Sequence, residues 1–211
     1  FLFIGFSLMM AMRWQLAYPG QSLGLLTVLF GSTNVPDGVM AAEFYNQLGA
    51  MHGTIMIFLG VVPLGVGAFG NFVVPLQIGA GDMAFPKLNM ASYWSYFVGG
   101  VIMIASFFVP GGAAQSGWTS YPPLTQTAPL WGQTMWLLGM VFLITSSLLG
   151  SVNFIVTIVQ LRVPGMSFFR LPFFVWAQFV TAILLLLAFP PLEAAAVLQL
   201  MDRLIGTSFF L

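Results

Sequence analysis

Residues 44–74 read FYNQLGAMHGTIMIFLGVVPLGVGAFGNFVV, with no Asp, Glu, Lys or Arg and one histidine, His52. A helix needs about 20 mostly apolar residues to cross a hydrocarbon core, and this stretch exceeds that. Around it, the stretches at about 1–17, 89–110, 131–160 and 172–200 qualify or nearly so. The second, fourth and fifth stretches are long for a span, so tilt or projection past the bilayer is expected. Barrel strands would instead give roughly ten-residue alternating segments, which the chain lacks. The expectation is an all-α, polytopic transmembrane helix bundle of about five spans.

Composition agrees. The 211 residues include five Lys+Arg, five Asp+Glu and one His, and 59% are hydrophobic; the mean hydropathy is +0.99. Only 5% of residues are charged, against roughly 25% in a soluble domain, too few for a polar shell. Nucleic-acid binding is excluded, because so few cations at zero net charge cannot neutralise a phosphate backbone. The absence of cysteine removes disulfides, iron–sulfur clusters and covalent haem attachment. Phe1 opens inside an apolar run with no basic segment before it, so no signal peptide is read. The chain is expected to be a fragment of a longer protein, its first span lacking its beginning.

Proline and glycine mark the connections: Tyr18-Pro19-Gly20, the loop around Pro36 and Gly38, Pro75 to Pro86, Pro110 to Pro123, and Pro164-Gly165. Five spans put alternate connections on opposite sides. One side collects Lys87, Arg162 and Arg170 with Asp82; the other collects Asp37, Glu43 and Asp202, with Arg13 and Arg203 at span ends. The positive-inside rule places the Lys87 side in the cytoplasm, or in the matrix of a mitochondrion. Trp14, Tyr18, Trp118, Tyr121 and Trp131 then lie near the outer interface, where amphipathic rings belong.

His52 stands on a stripe of Gly49, Met56, Gly60, Pro63, Gly67 and Gly70, spaced by threes and fours and so on one helix face. Two readings fit. Small faces of this kind let helices approach closely, and His52 would then be a hydrogen-bonded packing residue. Alternatively a flat prosthetic group lies against the face, its metal held by an imidazole nitrogen, since ionisable groups within spans are usually functional.

Longer motifs bring in a family. Residues 43–58, EFYNQLGAMHGTIMIF, resemble the second-helix motif of subunit I of the haem–copper oxidases, and residues 71–89, NFVVPLQIGAGDMAFPKLN, resemble the loop that follows it. Residues 117–124, 147–154 and 200–210 continue the resemblance in order, so it covers nearly the whole chain. Within the family, the cytochrome c oxidases are the nearer kind and the quinol oxidases the neighbouring one.

The resemblance implies the first five spans of a subunit of about twelve helices. It implies that His52 is an axial ligand of the low-spin haem, haem a in cytochrome oxidases. Arg13 occupies the position of an arginine that hydrogen-bonds the formyl group of that haem, and Trp118 the position of a tryptophan near its propionates. Read alone, Arg13 is a snorkelling interfacial cation and Trp118 an aromatic-belt residue. Gln15 stands where many relatives carry a glutamate beside a bound Ca or Na ion, a departure that puts that site in doubt. The ligands of the high-spin haem a3 and of CuB are not in this chain, whose one histidine is His52.

Asp82 is the one acid of the cytoplasmic connections. Read alone it could cap its loop; the resemblance makes it the mouth of the D-channel for proton uptake. Asn71, Asn89, Ser92, Ser146, Ser147 and Asn153 match polar positions lining that channel, although each could equally serve as a cap or an interhelical hydrogen bond. Glu193, after Pro190-Pro191 in the fifth span, receives no role.

The implied activity is that of a proton-pumping terminal oxidase reducing dioxygen to water with electrons from cytochrome c. Its implied partners are the remaining helices of subunit I, subunits II and III, cytochrome c and membrane lipid, in a bacterial cytoplasmic membrane rather than a mitochondrial inner one. The rivals are a quinol oxidase of the same superfamily and, from another class, a cofactor-free transporter or channel with His52 and Asp82 as relay groups.

Overall fold

The computed structural model describes residues 1–128 and 130–210, with the backbone alone at Leu130; positions 129 and 211 of the expected domain lie outside the described residues. Among the described residues every regular element is helical. In chain order they are α1 (Leu2–Ala17), α2 (Gly24–Phe30), α3 (Ala42–Ile78), α4 (Pro86–Ala105), α5 (Leu124–Thr127), α6 (Trp131–Gln160) and α7 (Phe173–Leu204). Of these, α3, α4, α6 and α7 are long and apolar enough to cross a bilayer.

The four long spans fall where hydropathy puts them. The first differs: α1 has 16 residues, about 24 Å of helix, short of a core about 30 Å thick. A further helix, α2, forms inside the connection read as a loop. It is held by Thr27, whose hydroxyl donates to the Val35 carbonyl at 2.9 Å.

Local chemistry explains the boundaries. Midway along α3 the backbone adopts wide turns at Ile55–Val61 and Pro63–Gly70. Pro63 has no amide to close on Leu59 and its ring crowds that carbonyl, so the helix continues with more residues per turn. The same helix stops at Gly79, whose φ of 75° is left-handed. Gly79 N–H reaches the Leu76 carbonyl at 3.4 Å and Ala80 N–H the Pro75 carbonyl at 2.9 Å, which satisfies two terminal acceptors. At the end of α6, Arg162 donates to the Ile158 carbonyl at 2.8 Å while its guanidinium lies 3.9 Å from the Phe168 ring centroid.

The chain forms two compact units, one of Phe1–Gly60, Gly100–Gly139 and Gln199–Leu211, the other of Val61–Gly99 and Met140–Leu198. The first is built around Phe44, Leu48, Met51, Ile55 and Met103, all buried, and Trp136, whose indole N–H donates to Thr54 Oγ1 at 3.2 Å. It also contains a satisfied polar core. Ser116 donates to Gln133, Gln133 to Ser120 and Ser120 to Gln199, and the Gln199 amide returns to the Ser120 carbonyl at 2.8 Å. Arg203 makes a second set, donating to Thr134 Oγ1 and to the Thr125 and Ala128 carbonyls. The second unit packs Val74, Ile78, Met83, Phe154, Ile158, Leu171, Val175 and Ala182 into one apolar cluster.

Candidate functional site

In the first unit, His52 lies on α3 with its ring half-buried. Its Nδ1 is 2.8 Å from the carbonyl oxygen of Gly5 on α1. A carbonyl only accepts, so Nδ1 carries the proton and Nε2 of the neutral ring keeps its lone pair. Among the described residues Nε2 has no partner. An imidazole fixed through one nitrogen and open at the other is the arrangement metal-binding histidines use, the fixed nitrogen setting tautomer and ring orientation.

Gly5 makes that contact possible. A Cβ there would stand 2.9 Å from Ile55 Cγ2 and 2.9 Å from Met56 Sδ, so α1 approaches α3 closely only without one. Other positions of the small-residue stripe are likewise used for packing. A Cβ on Gly60 would meet Leu2 at 2.6 Å, and one on Gly49 would meet Met12 at 3.4 Å. Open space is found instead beside Gly53, next to the histidine, where a Cβ would meet nothing within 4 Å. Helix packing and an open ring nitrogen thus coexist on α3, and the residues around His52 fit an iron-bound macrocycle approached through Nε2.

Arg13 is exposed on α1 and makes no hydrogen bond or ion pair among the described residues. One position on, Trp14 packs against Tyr18 with ring centroids 4.7 Å apart. Trp118 is half exposed, its ring 6.1 Å from that of Phe58 on α3. Gln15 accepts from the Met40 N–H at 3.2 Å through its Oε1. No group of three or more His, Asp or Glu able to hold a metal ion occurs among the described residues.

In the second unit Asp82, Asn153 and Thr157 hydrogen-bond the backbone of the loop between α3 and α4. Asp82 is exposed, and its Oδ1 accepts from the Met83 N–H at 2.7 Å. One carboxylate oxygen thus holds the turn while the residue stays open. Asn153, fully buried, grips the residue before Pro86: Phe85 N–H donates to its Oδ1 at 2.9 Å, and its Nδ2 donates to the Phe85 carbonyl at 3.3 Å. Thr157, one turn on, accepts from the Ala84 N–H at 2.9 Å and donates to the Asn153 carbonyl at 2.6 Å.

Ser92 on α4 and Ser146 on α6 form a reciprocal clasp. The Ser92 hydroxyl donates to the Ser146 carbonyl at 2.7 Å, and the Ser146 hydroxyl to the Ser92 carbonyl at 2.6 Å. The two oxygens are 3.2 Å apart, each with its proton already directed at a carbonyl. Ser147 donates within its own helix to the Leu143 carbonyl at 3.1 Å. Asn71 donates to the Gly67 carbonyl at 2.6 Å, leaving its buried Oδ1 without a donor. Asn89 is half-buried on α4, its backbone N–H donating to the Phe85 carbonyl at 3.0 Å and its side-chain amide making no hydrogen bond among the described residues.

Some participants escaped the sequence reading. Thr157 and Gln178 are two; Gln178 is 8% exposed, donates to the Gly65 carbonyl at 3.1 Å and leaves its buried Oε1 without a donor. Thr145 is a third, donating to Glu193. None stands in a motif, and what singles each out is a partner far away in the sequence.

Comparison with known proteins bears on both sets. The family model described as cytochrome c and quinol oxidase polypeptide I matches residues 1–211. The chain is 45% identical over 210 residues to cytochrome c oxidase subunit 1 of Synechocystis sp., covering 100% of this chain and 35% of that one. It is 50% identical over 168 residues to the protein of that name from Thermostichus vulcanus, covering 80% of this chain and 30% of the relative. With the one from Bacillus sp. strain PS3 it shares 48% over 172 residues, 81% of this chain and 28% of the other. The chain therefore spans about a third of the length of these relatives. An all-helical membrane architecture and a family match running end to end make this chain a member of the haem–copper oxidase subunit I family.

Proposed function

We propose that this chain is the haem-ligating and proton-admitting part of a terminal respiratory oxidase that reduces dioxygen to water. The electron donor in this reading is cytochrome c, after the names of the relatives, and the location is a bacterial cytoplasmic membrane. The full-length subunit of the family carries haem and copper. Bound at His52, a low-spin haem supplies a one-electron carrier.

The observation that carries the reading is the His52 Nδ1 to Gly5 carbonyl hydrogen bond of 2.8 Å, because it leaves Nε2 as a free donor to iron. Arg13 and Trp118 belong to the same unit as His52. In this reading they orient the haem's polar edge: a guanidinium donates to a formyl oxygen, and an indole N–H toward a carboxylate. Asp82 takes up protons from water at an exposed loop that Asn153 and Thr157 hold in place. Asn71, Asn89, Ser92, Ser146 and Ser147 supply polar groups for ordered water within the same unit.

The test uses the complete oxidase. His52→Ala is expected to remove the low-spin haem band from reduced-minus-oxidised spectra while the subunit still accumulates in the membrane. A variant retaining the full low-spin signal would overturn the assignment.

A further inference from the structure

Glu193 carries charge into a helix that otherwise has none between Phe173 and Met201. It lies about 16 Å in from the end of α7, at roughly 1.5 Å per residue. Thr145 stands at the middle of α6. Both therefore fall inside a hydrocarbon layer about 30 Å thick, where an ionisable side chain is costly and persists when it has a task.

Glu193 is half-buried, and Thr145 Oγ1 donates to its Oε1 at 2.6 Å. Among the described residues that hydroxyl is its one hydrogen-bond partner, and no Lys, Arg or His stands within ion-pair distance. A carboxylate within a span is held by a cation or by hydrogen-bond donors. This one faces a hydroxyl, which can donate to a carboxylate and, by rotating, accept from a carboxylic acid. Three and two positions before it, Pro190 and Pro191 withdraw the amides that would close on Leu186 and Leu187, so the neighbouring backbone offers further acceptors.

Thr145 is next in sequence to Ser146, which clasps Ser92 on α4. Around α6, the hydroxyl of 146 faces α4 and that of 145 faces Glu193 on α7. A single turn of α6 therefore joins the serine pair, read above as part of a proton path, to an acid within the membrane.

We propose that Glu193, with Thr145 as its hydrogen-bond partner, is an intramembrane proton-carrying site of this subunit. A proton reaching the carboxylate forms the carboxylic acid, and its departure restores the carboxylate that the Thr145 hydroxyl stabilises; nothing else is consumed. The proposal rests on the oxidase reading for the source of the proton, and it adds a group that the uptake path from Asp82 does not include.

The test is redox-difference infrared spectroscopy of the complete oxidase, in the region where protonated carboxylic acids absorb. A carboxylic C=O band is expected that is lost in Glu193→Gln and displaced in Thr145→Val, with haem content unchanged in both. Difference spectra of Glu193→Gln that superimpose on the parent's would overturn the proposal. So would a band that Thr145→Val leaves unmoved, because the pair would not then act together. Proton uptake by Asp82→Asn, measured separately, reports on the uptake reading and has no bearing on the Glu193 band.

Discussion

Asn153 holds Phe85 by both of its backbone groups, accepting the N–H at 2.9 Å and donating to the carbonyl at 3.3 Å. Phe85 directly precedes Pro86, the first residue of α4, so one buried amide on α6 sets where the Asp82 loop ends and the next span begins. Asn153→Ala leaves the Phe85 N–H without that partner, a loss of about 1 kcal/mol for a part-buried hydrogen bond. Faster amide exchange at residues 83–86 of the complete subunit is expected, with the far half of α4 unchanged. Exchange at parent rates would mean that the clasp does not hold the loop.

Asp82→Asn separates charge from shape. The Asn side-chain oxygen can still accept the Met83 N–H bond now at 2.7 Å, so the turn is expected to persist. What disappears is a group able to exchange protons with water. Proton uptake by the reconstituted oxidase is expected to fall by roughly tenfold or more, on the scale of losing a positioned proton-transfer group. Haem spectra should match the parent's. Unchanged uptake would confine Asp82 to capping its turn.

The spans were legible because hydropathy over 20 or more residues needs no partner to be read, and four of the long helices fall where it puts them. Chain order in motifs was equally plain, so His52 and Asp82 stood out at once. The grip of Asn153 on Phe85 was not, since a sequence separation of 68 residues carries no local pattern. Glu193 shows the limit from the other side: its oddity was visible, but its meaning depended on Thr145, 48 residues away on another helix. The small-residue stripe on α3 left two readings open, close helix packing and a flat prosthetic group lying against it. In the structure Gly60 and Gly49 of that stripe pack against α1, while open space lies beside Gly53, a residue the stripe does not include.

Gly5→Val addresses how α1 fixes the histidine. A Cβ at this position stands 2.9 Å from Ile55 Cγ2, and the β-branched Ile55 has little freedom to move away. Overpacking of this kind costs about 1–3 kcal/mol. Its relief requires α1 to shift, taking the Gly5 carbonyl away from His52 Nδ1. A displaced low-spin haem band is expected, together with reduced thermal stability of the complete subunit. Lower stability with an unmoved band would separate helix packing from ligand orientation.

Gly79→Ala tests the stop at the end of α3. The position is left-handed, φ 75°, and a Cβ there would overlap Cγ1 of the Val163 side chain. The backbone conformation alone costs an L-residue about 1–2 kcal/mol, and the overlap adds to it. Val163→Ala removes the overlapping atom but leaves the strained φ. The double variant should therefore regain part of the stability lost by Gly79→Ala, with a remainder on the order of 1 kcal/mol set by the backbone. Thermal unfolding of the four proteins of this cycle measures both parts. Full recovery in the double variant would show that side-chain overlap, and not the left-handed turn, reserves position 79 for glycine.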